Sequence, residues 1–151
     1  LGDVYKRQGL LPMRGPGVRV ILDDGQASSP EPGMALIHAY DLRDVVNLLW
    51  MAGSEAVSIN EERVVASTSI YCVGSTVMVN DTRMAPPFVI QAIGDPAAQE
   101  DLLRNPAYLP ELKDRVHRYG ARFDIQRATD LRIPAYQGHF AIQYARPGGQ
   151  E

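Results

Sequence analysis

The chain has 151 residues, of which 45% are hydrophobic and 22% charged, and its net charge is −3 with a pI of about 5.6. These values are typical of a globular domain that is long enough to bury its own core. Scattered Lys and Arg residues exclude the basic patch that nucleic acid or an anionic membrane surface would require. The single cysteine, Cys72, excludes an internal disulfide, and its apolar neighbours predict a buried side chain.

The N-terminal residues differ in character from the rest of the chain. We interpret Leu1–Gln8 as translated sequencing adapter and leave it out of the fold prediction. We assign residues 9–16 to a linker, 17–147 to a single α+β domain and 148–151 to a tail. Because the chain starts with Leu, we expect the intact protein to begin upstream.

Periodicity defines the elements of the first part of the domain. Apolar residues alternate over Val18–Leu22, which predicts a strand, and the polar stretch Gln26–Gly33 predicts a mobile loop. The next apolar residues follow helical spacing. They predict an amphipathic helix with Asp41 as its N-cap and Gly53 at its C-terminal end.

A series of strands is predicted after this helix. Val57–Ile59 alternates and is followed by a hairpin turn at Asn60–Arg63, then by one continuous strand over Val64–Val73. Thr76–Val79 is predicted to be a short strand that ends in a turn at Asn80-Asp81, and another strand is predicted over Phe88–Ile93.

The last part of the chain predicts two helices and two strands. Asp95-Pro96 combines an N-cap with a proline at the first helical position, and a second helix is expected to end at Gly120. Phe123 and Ile125 alternate with polar residues and predict a strand, and Phe140–Tyr144 predicts a final one. His117 and His139 are expected at the surface.

The element order predicts an α+β fold. We expect a ferredoxin-like, split βαβ plan with a mixed sheet, extra strands and helices on one face. A doubly wound α/β fold fits less well, because the turns between the middle strands are too short for crossovers.

The first candidate site is a polar cluster of Asp23, Asp24, His38 and Asp41. Three carboxylates and an imidazole could bind a metal ion or provide acid–base catalysis. The alternative is structural: Asp23 and Asp24 are ordinary turn residues, Asp41 caps a helix, and His38 lies at a strand edge.

The second candidate is a polar rim formed by Asn60, Arg63, Asn80 and Arg83. If the two hairpin turns lie side by side, these side chains could contact a peptide or a glycan. The alternative is that the asparagines stabilise the turns while the arginines are solvated beside them.

The third candidate is an interface formed by Asn47, Trp50 and Met51. Trp50 lies at the border of the apolar face of the predicted helix, and Trp is enriched at interfaces. The alternative, which average burial favours, is that Trp50 folds over the sheet edge as part of the core.

Several ordered blocks of the sequence resemble a bacterial family. These are Arg14–Asp24, Asn47–Trp50, Ala52–Asn60, Val79-Asn80 and the Ala-Ile-Gly-Asp-Pro block that ends at Pro96. In this order they resemble domain-of-unknown-function family 881, also called uncharacterised protein family 0749, the YlxW/YlxX-like proteins. The resemblance covers about residues 11–147. The chain departs from it at Asn60-Glu61, where many members have Asn-Gly.

The resemblance carries functional expectations. Members usually have an N-terminal membrane anchor and a coiled coil before this domain, which places the domain outside the cytoplasmic membrane. Some members are named division-initiation proteins because of their gene neighbourhood. Together with the lack of a catalytic constellation in the sequence, the resemblance predicts a non-enzymatic interaction module at the cell envelope, with protein partners or self-assembly through the missing coiled coil. No catalytic residues are established for the family, so none are carried over, and no cofactor is predicted. The alternative is a ligand-binding, metal-binding or hydrolytic domain that uses the polar cluster.

Overall fold

The computed structural model describes residues 2–26, 31–138 and 143–149. Within these residues the chain is an α+β domain with two antiparallel sheets. The predicted strand at Phe140–Tyr144 falls mainly on residues outside the described ranges, as do His139 and four residues of the predicted loop after Gln26.

The larger sheet has five strands in the order β3-β2-β7-β1-β8. They are β1 (Met13–Asp23), β2 (Ala56–Ile59), β3 (Glu62–Val64), β7 (Phe88–Ile93) and β8 (Arg122–Ile133). β7 lies between β1 and β2 and is antiparallel to both, with Val20 opposite Ile90 and Ile59 opposite Ile90 on its other side. The expectation of a mixed sheet is wrong, because every strand pair in the described part of the chain is antiparallel.

The smaller sheet has three strands in the order β4-β5-β6, namely β4 (Ile70–Val73), β5 (Thr76–Val79) and β6 (Thr82–Met84). The expected strand over Val64–Val73 is therefore divided. The chain turns after β3, where the Thr68 hydroxyl accepts a hydrogen bond from the Val65 N–H at 2.8 Å. This turn takes the chain from the larger sheet to the smaller one.

Both predicted hairpin turns are present and contain two residues each. Asn60 and Glu61 have φ of 44° and 68°, and Asn80 and Asp81 have φ of 51° and 61°. Positive φ at both central residues matches the right-handed twist of the flanking strands. The Asn60 side chain accepts a hydrogen bond from the Val89 N–H at 2.7 Å, which ties the first turn to β7.

Three helices pack on one face of the larger sheet: α2 (Ala39–Met51), α3 (Pro96–Arg104) and α4 (Pro110–Tyr119). Alternate residues of β1 and β7, such as Val18, Val20 and Ile90, meet Leu42 and Leu49 of α2 in one core cluster. α3 starts as predicted, since the Asp95 carboxylate accepts a hydrogen bond from the Ala97 N–H. α4 ends at Gly120 in a left-handed conformation, also as predicted.

Helix α2 begins three residues before the predicted start. His38 is its N-cap, and Asp41 is the third helical residue, whose carboxylate accepts a hydrogen bond from the His38 N–H at 2.7 Å. The prediction of Asp41 as the N-cap is wrong, because its carboxylate reaches back to the cap instead of forming it. Gly53, with φ of +85°, follows the end of the helix as expected.

Structure is also present in the N-terminal residues that we set aside. Gly2–Arg7 forms helix α1, and β1 begins at Met13, within the range assigned to a linker. The interpretation of residues 1–8 and 9–16 stays a prediction. Among the described residues, no helix is both long and apolar enough to span a bilayer.

Cys72 is exposed, so the prediction of a buried cysteine is wrong. β4 is an edge strand of the smaller sheet, and only its first residue, Ile70, is buried. The apolar neighbours of Cys72 in sequence therefore do not enclose it in space.

Candidate functional site

The residues of the polar cluster are engaged in structural contacts. One Asp24 carboxylate oxygen accepts a hydrogen bond from the Ile37 N–H at 2.7 Å, and Asp23 accepts one from the Asp24 N–H at 2.8 Å. The His38 Nε2 lies 2.9 Å from the Gly33 carbonyl oxygen. In the described part of the chain, no group of three His, Cys, Asp or Glu side chains could hold a metal ion.

One member of that cluster, Asp41, forms a buried salt bridge that the sequence analysis missed. Arg115 of α4 donates a hydrogen bond from Nη1 to Asp41 Oδ2 at 2.6 Å, and the two side chains are only 6% and 2% exposed. The Arg115 Nη2 also donates to the hydroxyl of Tyr40, whose ring stacks on His38 at 5.0 Å. This contact fixes the middle of α4 against the first turn of α2.

The electrostatics agree with this geometry. Burial lowers the pKa of the Arg115 guanidinium, but the hydrogen bond and negative charge of Asp41 outweigh it, so the pKa is raised overall. Burial raises the pKa of the Tyr40 hydroxyl, although the positive charge of Arg115 acts to lower it. The arginine is therefore a permanent cation that neutralises Asp41. Its position on the mainly apolar face of α4, beside Leu112, was the available sequence signal.

The predicted polar rim is only partly formed. The two hairpins do lie together, because the Asn80 side chain donates to the Arg63 carbonyl oxygen at 2.8 Å and Thr82 donates to Glu62 at 2.9 Å. However, Asn60 is bonded to β7, and Arg63 is 2% exposed, so neither offers a free side chain. Arg83 is exposed and is the one member of the set that is solvated as the alternative required.

Arg63 forms a carbonyl cage at the face of the sheet opposite the helices. Its guanidinium donates to the carbonyl oxygens of Leu11 at 2.8 Å, Pro134 at 3.0 Å and Lys6 at 3.1 Å. Burial lowers its pKa. The cage holds the chain before β1 and the chain after β8 together, and the Tyr136 N–H donates to the Gly9 carbonyl oxygen at 2.8 Å beside it.

The predicted interface residues share the exposed face of α2. Trp50 and Met51 are 38% and 64% exposed, and Asn47 is also exposed. The favoured alternative of a core Trp50 is therefore wrong, because this side chain is exposed where it borders the 64–70 segment.

A groove lies on each side of this exposed face. The first, which we call the α2–α4 groove, has a volume of about 380 Å³. It is lined by α2 residues and by the start of α4, namely Asp41, Asp44, Asn47, Leu48, Met51, Tyr108, Leu109, Pro110, Glu111 and Leu112. The second, the Trp50 groove, has a volume of about 270 Å³ and runs between Trp50 and the 64–70 segment. Asn47 lines both, so the predicted interface residues form the ridge between two grooves.

These observations define the class of protein: an α+β domain whose helical layer presents an exposed, partly apolar ridge flanked by grooves. The sequence profile of a bacterial protein family of unknown function, DUF881, matches residues 2–146. The chain belongs to this family, as the sequence resemblance predicted.

Relatives of the chain are found in several bacteria. The chain is 33% identical over 143 residues to UPF0749 protein Rv1825 of Mycobacterium tuberculosis, covering 92% of this chain and 45% of that protein. It is 32% identical over 90 residues to UPF0749 protein YlxW of Bacillus subtilis, covering 58% of this chain and 39% of that protein. The chain thus spans less than half the length of these relatives.

A solved structure shares the fold. The crystal structure of an uncharacterised conserved protein from Mycobacterium tuberculosis matches with a TM-score of 0.77 and 31% sequence identity. The match covers 98% of this chain and 99% of that one.

Proposed function

We propose that this domain is a non-enzymatic interaction module of a membrane-anchored bacterial envelope protein. The observation that carries the proposal is the ridge on α2, where Trp50 and Met51 are exposed between two grooves. Aromatic residues and methionine are enriched in interfaces, and a partner side chain can enter a groove on either side of the ridge.

The fold supports a binding role on the helical layer. β1 and β2 are joined through α2, with β7 inserted between them, and β8 follows α4 to the other side of β1. This is the strand order of a ferredoxin-like split βαβ with β3 as an extra edge strand, and we propose that classification. In such a frame the helices are rigid elements, which present a binding surface more accurately than loops do.

The hydrolytic or metal-binding alternative has less support. The carboxylates of Asp24 and Asp41 are engaged by the Ile37 N–H and by Arg115, and His38 contacts a carbonyl oxygen. A metal ion or an attacking water would have to displace these contacts.

Site-specific photocrosslinking tests the interaction role. A photoreactive amino acid at Met51 should capture a discrete protein in cells that express the intact protein. The control position is Val73, which is 62% exposed against 64% for Met51 but lies on the smaller sheet. Equal capture at both positions, or capture at neither, would refute the proposed surface.

The location at the envelope needs a separate test. We propose that the intact protein carries an anchor upstream and holds this domain on the outer side of the cytoplasmic membrane. Reporter fusions to the intact gene, with reporters active only inside or only outside the membrane, should place the domain outside. An intact gene that encodes no apolar segment upstream of this domain would contradict the proposed anchor. A link to cell division is tested separately, by asking whether a fusion of the intact protein localises at division sites.

A further inference from the structure

The α2–α4 groove combines an apolar interior with an acidic rim. Leu48, Met51, Tyr108, Leu109 and Leu112 supply the apolar part of its lining. The volume of about 380 Å³ lies at the lower end of the range of roughly 300–1,000 Å³ found for binding pockets. The groove is therefore suited to one or two apolar side chains rather than to a large cofactor.

The rim carries negative charge that is not fully neutralised within the domain. Asp41 is paired with Arg115 at 2.6 Å, but the nearest Glu111 oxygen lies 3.9 Å from the same guanidinium, and the Glu111 side chain is 78% exposed. Asp44 has no salt bridge among the described residues. Two carboxylates thus border the apolar interior on the solvent side.

The environment of Asp44 favours an added cation. Burial raises the pKa of its carboxyl, and the negative charge of Asp41 raises it further, against the attraction of Arg43. A positive group between Asp44 and Glu111 would relieve this unfavourable environment. Anionic partners are disfavoured for the same reason, which argues against phospholipid headgroups and nucleic acid.

We propose that the α2–α4 groove binds a peptide segment of a partner protein in which an apolar side chain lies close to a Lys or Arg. The apolar side chain enters between Met51 and Tyr108, and the cation lies against Asp44 and Glu111. This inference rests on the proposed interaction role and specifies the chemistry of the partner.

Selection from a random peptide library displayed on phage tests this inference with the chain as it exists. The enriched peptides should share an apolar residue near a Lys or Arg. The most enriched peptide, made synthetically, should bind about tenfold or more weakly when its basic residue is replaced by Glu, and its affinity should fall with increasing salt.

Paired charge reversals locate the binding site. Asp44→Lys with Glu111→Lys should weaken binding of the synthetic peptide by about tenfold or more. The control is Asp101→Lys with Glu55→Lys, which makes the same change in net charge at two exposed carboxylates outside the groove and should leave binding unchanged. Circular dichroism melts check that both variants fold.

Each contrary result has a defined meaning. Enrichment of peptides without a basic residue, no enrichment, or equal loss in both double variants would overturn the inference. A dimer in sedimentation that only Asp44→Lys with Glu111→Lys dissociates would also overturn it, since a second copy would then occupy the groove. If crosslinking at Met51 succeeds while the peptide result fails, the interaction role stands and the groove chemistry is wrong. If peptides bind the groove while crosslinking at Met51 fails, the interaction role in cells is refuted and the groove chemistry stands.

Discussion

The buried pair of Asp41 and Arg115 gives the sharpest test of the packing. The Asp41 side chain is 2% exposed and accepts two short hydrogen bonds, from Arg115 at 2.6 Å and from the His38 N–H at 2.7 Å. Arg115→Met removes the cation and leaves a buried carboxylate with one backbone donor. Removal of one partner from a buried pair costs about 3–5 kcal/mol.

The expected effect is large for a domain of this size. At roughly 2–4 °C per kcal/mol for a domain of about 150 residues, Arg115→Met should lower Tm by about 6–20 °C. Urea unfolding followed by circular dichroism measures the free energy of unfolding. An unchanged m value would show that the parent and Arg115→Met expose the same amount of surface on unfolding.

The control lies one turn along the same helix. Arg118 forms a salt bridge with Asp114 at 3.0 Å, but the two side chains are 65% and 49% exposed. Arg118→Met should therefore change stability by less than about 1 kcal/mol, since exposed pairs contribute little.

A double variant separates pairing from simple loss of contacts. Asp41→Asn with Arg115→Met removes both charges but keeps an acceptor for the His38 N–H, so it should be more stable than either single variant. Tyr40 is exposed enough for water to replace its lost partner. A cost for Arg115→Met no greater than that of Arg118→Met, or a double variant as unstable as the sum of the singles, would refute the reasoning.

Three further predictions concern other parts of the domain. Arg63→Met should lower the free energy of unfolding by about 2–4 kcal/mol in urea titrations, because buried carbonyl groups lose their donor. Gly17→Ala should cost more than about 3 kcal/mol, or prevent folding, because a Cβ would lie 1.8 Å from the Ala92 carbonyl oxygen across β1 and β7. The pKa of Glu100 is lowered by its hydrogen bonds to Arg127 and Arg104. The contribution of this carboxylate to stability is therefore present above the unfolded pKa of about 4.3 and is lost as pH falls through the folded pKa. Glu100→Gln should match the stability of the parent in acid and be less stable than the parent at neutral pH.

Matched controls accompany these variants. Arg83→Met removes an exposed arginine and should leave stability nearly unchanged. Gly33→Ala adds a Cβ with no atom within 4 Å and should be tolerated. For Glu100→Gln, a destabilisation that persists at the lowest pH would contradict an electrostatic origin.

Local signals in the sequence were sufficient for the elements whose structure is set by near neighbours. Asp95-Pro96 starts α3, Gly120 ends α4, and Asn60 and Asn80 begin two-residue hairpin turns. In each case the residue type itself provides the cap or the positive φ, so no distant contact is needed.

Long-range burial could not be predicted in the same way. Arg63 and Arg115 are surface residues by type, and each is buried by segments far along the chain: Lys6, Leu11 and Pro134 for one, and Asp41 for the other. Cys72 shows the opposite case: its sequence neighbours are apolar, but its strand lies at the edge of a sheet and the cysteine is exposed. The exposed ridge on α2 was predicted as a candidate interface, but its two grooves depend on the docking of α4 and of the chain after β3.

The carbonyl cage of Arg63 leads us to predict how the domain responds to mechanical force. It joins the chain before β1 to the chain after β8, where Met13 is opposite Ile133 at the same end of the antiparallel pair. Tension applied through both flanking segments would load these ends first and open the strand pair one step at a time. The domain would therefore yield at low force by unzipping from the cage, while the α2 ridge stays intact until the strand pair has separated.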